Sequence, residues 1–223
     1  MHSQHARPWS RRRFLKRVTL AGMTGLLGVR PRSVAAEPPL ETTRLRLVRI
    51  PSICQAPQYV AEALLKTEGF TEVHYVEKQG SKGIESALAS GEADINMNFA
   101  APTLLRLDAG DPVVILAGGH NGCFELFGAE GVRAIRDLKG KTVAVSELGS
   151  ADHVFIASMV AYVGLDPQRD IQWVTYALDE AKRLLTESRI DALLALPPAA
   201  QELRAQRIGH VVVNSAVDHP WSQ

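Results

Sequence analysis

Cysteine is nearly missing from this sequence, and what it lacks narrows what it can do. Cys54 and Cys123 are the only two in 223 residues. So few, so far apart, exclude a disulfide framework and any C-x-x-C metal knuckle; in an oxidising compartment the two could pair, but they read as two separate thiols. Seven histidines are present, but no two fall at the H-x-x-x-H spacing that puts a pair of zinc ligands on one helix face, so no metal is expected. No G-x-G-x-x-G follows an apolar run, which removes support for a dinucleotide site. The stretch Leu148-Gly149-Ser150-Ala151-Asp152 is not a G-x-S-x-G elbow. Gly140-Lys141-Thr142 looks like the tail of a phosphate loop, yet the position that needs the first glycine holds Ile135, and the helix precedes the strand instead of following it. Catalytic signatures and cofactors are therefore not expected.

Acidic residues are absent from the first 36 positions, which carry eight cations: Arg7, Arg11, Arg12, Arg13, Lys16, Arg17, Arg30 and Arg32. An apolar run, Val18 to Val29, follows; its 12 residues fall short of the roughly 20 that span a bilayer. Small residues close the block at Ser33-Val34-Ala35-Ala36. This is the layout of a cleavable export signal, residues 1–36, ending near Ala35 or Ala36. Ser10-Arg11-Arg12-Arg13-Phe14-Leu15-Lys16 resembles the twin-arginine consensus, which points to the twin-arginine translocase as an export partner and to passage of a folded protein. No cysteine stands at the cleavage site, so the mature chain is expected free in the periplasm and not lipid-anchored. Without those eight cations, 17 Lys and Arg face 24 Asp and Glu, a net charge of about −7 that argues against nucleic acid as a partner.

From residue 57 one phrase recurs: an amphipathic stretch, a glycine, a short apolar run. It appears around Gly69, Gly91, Gly110, Gly140, Gly164 and Gly209. Glycine ends a helix in the left-handed conformation and lets the chain turn into a strand. Runs such as Val113–Ala117 and Ala192–Leu196 are apolar throughout and predict parallel strands covered on both faces. The fold class is α/β, with helices on both sides of the sheets. Residues 119–131, with four glycines, break the rhythm, and either a crossover between two lobes or a surface loop with a hairpin satisfies that pattern. A short helix is expected over Val132–Leu138. After Val211-Val212-Val213 the chain runs on to Gln223 with no closing element, an ending that predicts an exposed Trp221 and reads as a chain cut short.

Open α/β sheets bind ligands at the carboxyl ends of their strands. Those ends carry Ser52, Cys54, Gln55 and Tyr59 after the first strand, Asn98 and Phe99 after the third, and His120 and Asn121 after the fourth. Gly149, Ser150 and His153 open the long helix of the second half, and Pro197 follows a later strand. Hydroxyls and backbone N–H groups at the helix start suit a charged group, and Tyr59 and Phe99 suit the remainder. Ser150 has an equally good reading as an ordinary N-cap, and Cys54 as an inert thiol.

The blocks GEADINMNFAAPTLLRLDAGDPVVILAGG (91–119), IRDLKGKTVAVSELGSADHVFIASMVAYVGLD (135–166) and SRIDALLALPP (188–198) resemble the periplasmic solute-binding proteins of nitrate, sulfonate and taurine ABC importers, a group with a thiamine-pyrimidine-precursor branch. The likeness runs from about residue 44 to the end. It implies a type II periplasmic-binding-protein-like fold, two small α/β lobes joined by crossover hinge segments. Lobe I spans 41–120 and is incomplete, lobe II spans 125–212, and 213–223 starts the return crossover. It further implies a monomer that captures a small anionic or zwitterionic solute by hinge closure and delivers it to an ABC permease. The same fold hosts pyrimidine-precursor synthases and lyases, for which Cys54 would be the residue to recruit, and sensor input modules that bind similar solutes.

Overall fold

The computed structural model describes residues 39–50, 52–78 and 80–222; the export signal expected at 1–36 lies outside them. In chain order the elements are β1 (Arg44–Arg49), α1 (Ala56–Thr67), β2 (Glu72–Glu77), α2 (Gly80–Ala89), α3 (Ala100–Asp108), β3 (Glu125–Gly128), β4 (Thr142–Val145), α4 (Ala151–Tyr162), β5 (Gln172–Thr175), α5 (Leu178–Thr186), β6 (Ala192–Ala195), α6 (Ala199–Gln206) and β7 (His210–Asn214). Short 3-10 turns occupy Ile53–Gln55 and Ile135–Leu138. Among the described residues no helix is long and apolar enough to cross a membrane.

Two sheets form. The first pairs β1 with β2 in parallel, and Ile95 bridges to Leu47 on the other side of β1. The second has five strands in the order β5-β4-β6-β3-β7, with β3 antiparallel to both its neighbours. The alternation of side chains along its strands fills two cores. Leu126, Val143, Val145, Ala192 and Leu194 face α4, which contributes Ile156, Met159 and Val160. Phe127, Ala144, Leu193 and Ala195 face α5 and α6, which contribute Leu184, Leu185 and Leu203. The first sheet has a much smaller cluster, Val48, Ala87 and Ala93.

The six junction glycines all have positive φ, but the full helix–glycine–strand phrase forms at Gly69, Gly164 and Gly209 only: a single bridge at Ile95 follows Gly91, no strand follows Gly110, and a 3-10 turn precedes Gly140. Four expectations need correction. Val113–Ala117 is not a buried strand: it pairs with no described residue, and Val114 and Leu116 are 79 and 78 % exposed. An apolar run makes a central strand only when neighbours flank it, and the first sheet ends at Ile95. Conversely, the glycine-rich stretch 119–131 contains β3, four buried residues at the middle of the second sheet, which is therefore mixed and not purely parallel. Residues 132–138 form only the 3-10 turn. Finally, Trp221 is not exposed: the turn after β7, in which Val217 and Asp218 N–H groups donate to Asn214 O, folds the chain back so that Trp221 meets Tyr162 edge-on, ring centroids 5.0 Å apart.

The stretches 119–124 and 214–217 run against each other. Phe124 N–H donates to Ser215 Oγ, and Ser215 N–H to Phe124 O, both at 2.9 Å. Gly122, at φ +73°, lies so close to this turn that a Cβ there would come within 2.5 Å of Ala216 Cα, so only glycine fits.

Candidate functional site

A cavity of about 480 Å³ opens where α2 and α3 of the first sheet face the loop between β4 and α4 of the second. Ser81, Lys82, Glu85, Ser86, Arg106, Leu148 and Gly149 are among its walls. Its size suits a small organic ligand. Its cations are not free: Arg106 Nε sits 2.5 Å from Asp111 Oδ2, and Lys82 Nζ 3.6 Å from Glu147 Oε1, the latter an ion pair that spans the opening. Burial raises the carboxyl pKa of Glu85, and the nearby Arg106 opposes that shift. The cavity walls thus carry two cations already paired with carboxylates, two hydroxyls and a carboxyl whose pKa burial raises.

The β4–α4 loop is held by Asp152. Its Oδ2 accepts from Ser146 N–H at 2.6 Å and its Oδ1 from Ser146 Oγ at 2.9 Å. Gly149 N–H donates to His153 Nδ1 at 3.1 Å. That bond needs an unprotonated Nδ1, and burial pushes the His153 pKa down in the same sense, with Asp152 opposing. His153 also meets Trp173 edge-on, and the two line a second cavity, of about 630 Å³, with Leu148, Ala157, Asp166 and Pro167.

Of the candidates named from sequence, Gly149 lines the first cavity and His153 the second. Ser150 is buried, and its hydroxyl turns back to Glu147 O and the Asp152 carboxylate; it makes no side-chain cap bond to its own helix. Ser52 Oγ accepts from Cys54 N–H at 3.3 Å. Gln55 is buried, its Nε2 donating to Met97 O while its Oε1 has no partner. Tyr59 donates to Ile50 O at 2.9 Å, and Asn98 Oδ1 accepts from Phe99 N–H at 2.8 Å. His120 and Asn121 lie on the exposed approach to β3, and Pro197 is joined to Pro198 by a cis peptide between β6 and α6.

Phe99 does more. It stacks on Phe124 with centroids 4.8 Å apart, and Phe124 stacks on Phe155 of α4 at 5.0 Å. This row of rings links the start of α3, the segment entering the second sheet, and α4. Sequence reasoning missed Lys82, Glu85 and Arg106, because they sit within helices and not at strand ends. A charged residue on a helix facing a cavity has the same signature as one facing solvent. It also gave no hint that Cys54, His120 and Cys123 converge: one potential ligand atom from each lies within 4.8 Å of the others. Cys123 is partly buried, and burial first, then the neighbouring Cys54, pushes its pKa up to about 12.

The family model described as NMT1/THI5 like matches residues 55–218. Among solved structures, the alkanesulfonate-binding protein SsuA from Xanthomonas axonopodis pv. citri, bound to MOPS, superposes with a TM-score of 0.60 at 20 % identity, covering 78 % of this chain and 62 % of that one. The periplasmic nitrate-binding protein NrtA from Synechocystis PCC 6803 gives 0.60 at 15 % identity, over 79 % and 52 %. An ancestral arginine-binding protein bound to arginine gives 0.54 at 19 %, over 78 % and 80 %. A comparison with curated proteins finds no match. At these identities the likeness establishes the fold, the type II periplasmic-binding architecture, and leaves the ligand open. The chain spans about three fifths of the length of the SsuA structure.

Proposed function

The chain belongs to the NMT1/THI5-like family, and from that premise we propose that it is the solute-binding component of an ABC importer. It would capture a small anionic or zwitterionic solute in the periplasm, a sulfonate, nitrate, taurine or pyrimidine-like molecule, and hand it to a permease. No bond is made or broken in this role. The observation that carries the reading is the cavity between α2, α3 and the β4–α4 loop: helices of the first sheet and the start of the second sheet's long helix share it, with Lys82 and Arg106 on one side and Gly149 on the other. Closing the two sheets around a ligand would bend the paired segments 119–124 and 214–217, which a permease would read as the loaded state. The export signal read at 1–36 supports delivery to the periplasm by the twin-arginine translocase.

The test is a melting series of the purified protein with alkanesulfonates, taurine, nitrate and pyrimidine precursors. One class raises Tm in a concentration-dependent way, and Arg106→Gln weakens that response by more than about tenfold, the loss of a charge-assisted contact. A panel in which no compound shifts Tm overturns the proposal.

A further inference from the structure

We propose that Cys54, His120 and Cys123 form a binding site for a sulfur-preferring d10 cation of the Zn²⁺ or Cu⁺ class. The three residues come from two separate segments. Cys54 lies in the 3-10 turn after β1, and His120 and Cys123 lie on the approach to β3. A thiolate pair with one imidazole is a donor set that selects Zn²⁺ or Cu⁺ over Mg²⁺ and Ca²⁺, which want oxygen ligands. Two thiolates and a neutral imidazole also balance the charge of Zn²⁺.

Geometry supports the assignment independently of that chemistry. With Zn–S near 2.3 Å and Zn–N near 2.0 Å, the edges of a tetrahedral site are roughly 3.5–3.8 Å. The observed upper limit of 4.8 Å between donor atoms is a side-chain rotation away. Both cysteines are held by their backbone. Cys54 N–H donates to Ser52 Oγ, and its neighbour Gln55 is buried and tied to Met97 O. Cys123 lies between Gly122, pressed against Ala216, and Phe124, doubly bonded to Ser215. His120 is the exposed member of the set. Its Nδ1 is 3.5 Å from Asn121 O, so a proton placed there leaves Nε2 its lone pair. Three protein donors leave a fourth position open to water or an anion. A bound cation would clip the turn after β1 to the segment that starts the second sheet.

The experiment uses the reduced, chelator-stripped full chain. Co²⁺, a spectroscopic stand-in for Zn²⁺, is expected to give thiolate-to-cobalt charge-transfer bands at one equivalent, bleached by Zn²⁺; separate Zn²⁺ and Cu⁺ arms raise Tm, while Mg²⁺ and Ca²⁺ do not. Cys54→Ser removes at least half of the band intensity, since it takes away one of the two thiolates. His120→Ala, at an exposed position that leaves the fold alone, weakens Zn²⁺ binding by more than about tenfold, the least that losing a direct ligand should cost. The proposal is overturned if no charge-transfer band appears, if Tm ignores both d10 ions, or if His120→Ala binds Zn²⁺ as the unmodified chain does. It is equally overturned if the two sulfurs form a disulfide and the re-reduced protein still takes up no metal. None of these readouts involves the solute, so they stand apart from the test of solute capture.

Discussion

Val48 in the first sheet and Leu193 in the second are both shielded from water, yet what surrounds them differs. Around Leu193, strands alternate between two cores, one under α4 and one under α5 and α6, and every residue of β3 and β6 is buried. Val48 shares its cluster of buried residues with Ala87 and Ala93, beside the partly buried Ile50, Val76, Ile84 and Leu88, and among the described residues Val60, Leu64, Leu104 and Leu105 of α1 and α3 are at least half exposed. At about 25 cal/mol per Å² of apolar area removed from water, that difference in cover is a difference in stability. The second sheet holds the molecule together, and the first is carried by it. A central strand with neighbours on both sides and helices on both faces reaches this density; a two-stranded sheet with a single bridge beyond it does not.

The sharpest way to break this comparison is to open the dense side. Phe127→Ala should cost about 3–5 kcal/mol, the sum of lost burial and the cavity left behind, read as a fall in the urea midpoint. A loss below that range would mean that the second core is not as tightly packed as its burial indicates. A smaller effect should come from pH. Burial lowers the pKa of His153, so in the acid range the unfolded chain binds more protons than the folded one. His153 therefore contributes its full stability above an ordinary imidazole value of about 6.5, and that contribution is lost as pH falls through it toward the lower folded value. Melting from pH 8 to 5 should show the decline, and His153→Asn, which can still accept from Gly149 N–H, should flatten it. The smallest effect belongs to the sparse side: Leu116→Ser, at a side chain 78 % exposed, should change stability by no more than about 0.5 kcal/mol. A larger loss would show that something covers Val113–Ala117 in solution.

The same contrast explains what was legible in the sequence. The junctions of the second sheet at Gly140, Gly164 and Gly209 follow from local spacing, because periodicity and helix-stopping glycines are written within a dozen residues. Ala192–Ala195 is buried on both faces as its composition predicts. Val113–Ala117 has the same composition and lies open, since pairing depends on neighbours that an apolar run does not specify. β3 hid inside a glycine-rich stretch for the converse reason: its partners, β6 and β7, arrive far later in the chain. The site followed this pattern. Gly149 and His153 were visible from a strand-to-helix junction, whereas Lys82, Glu85 and Arg106 depend on which way two helices face. The convergence of Cys54 with His120 and Cys123 escaped every spacing rule, because such rules register ligands along one segment and these come from two.

The stacked rings of Phe99, Phe124 and Phe155 have a mechanical meaning. Flat aromatic faces slide over one another at little cost but resist being pulled apart, since separation opens apolar surface to water. The row therefore ties the sparse half to the dense one, because parting Phe99 from Phe124, or Phe124 from Phe155, would wet apolar ring surface.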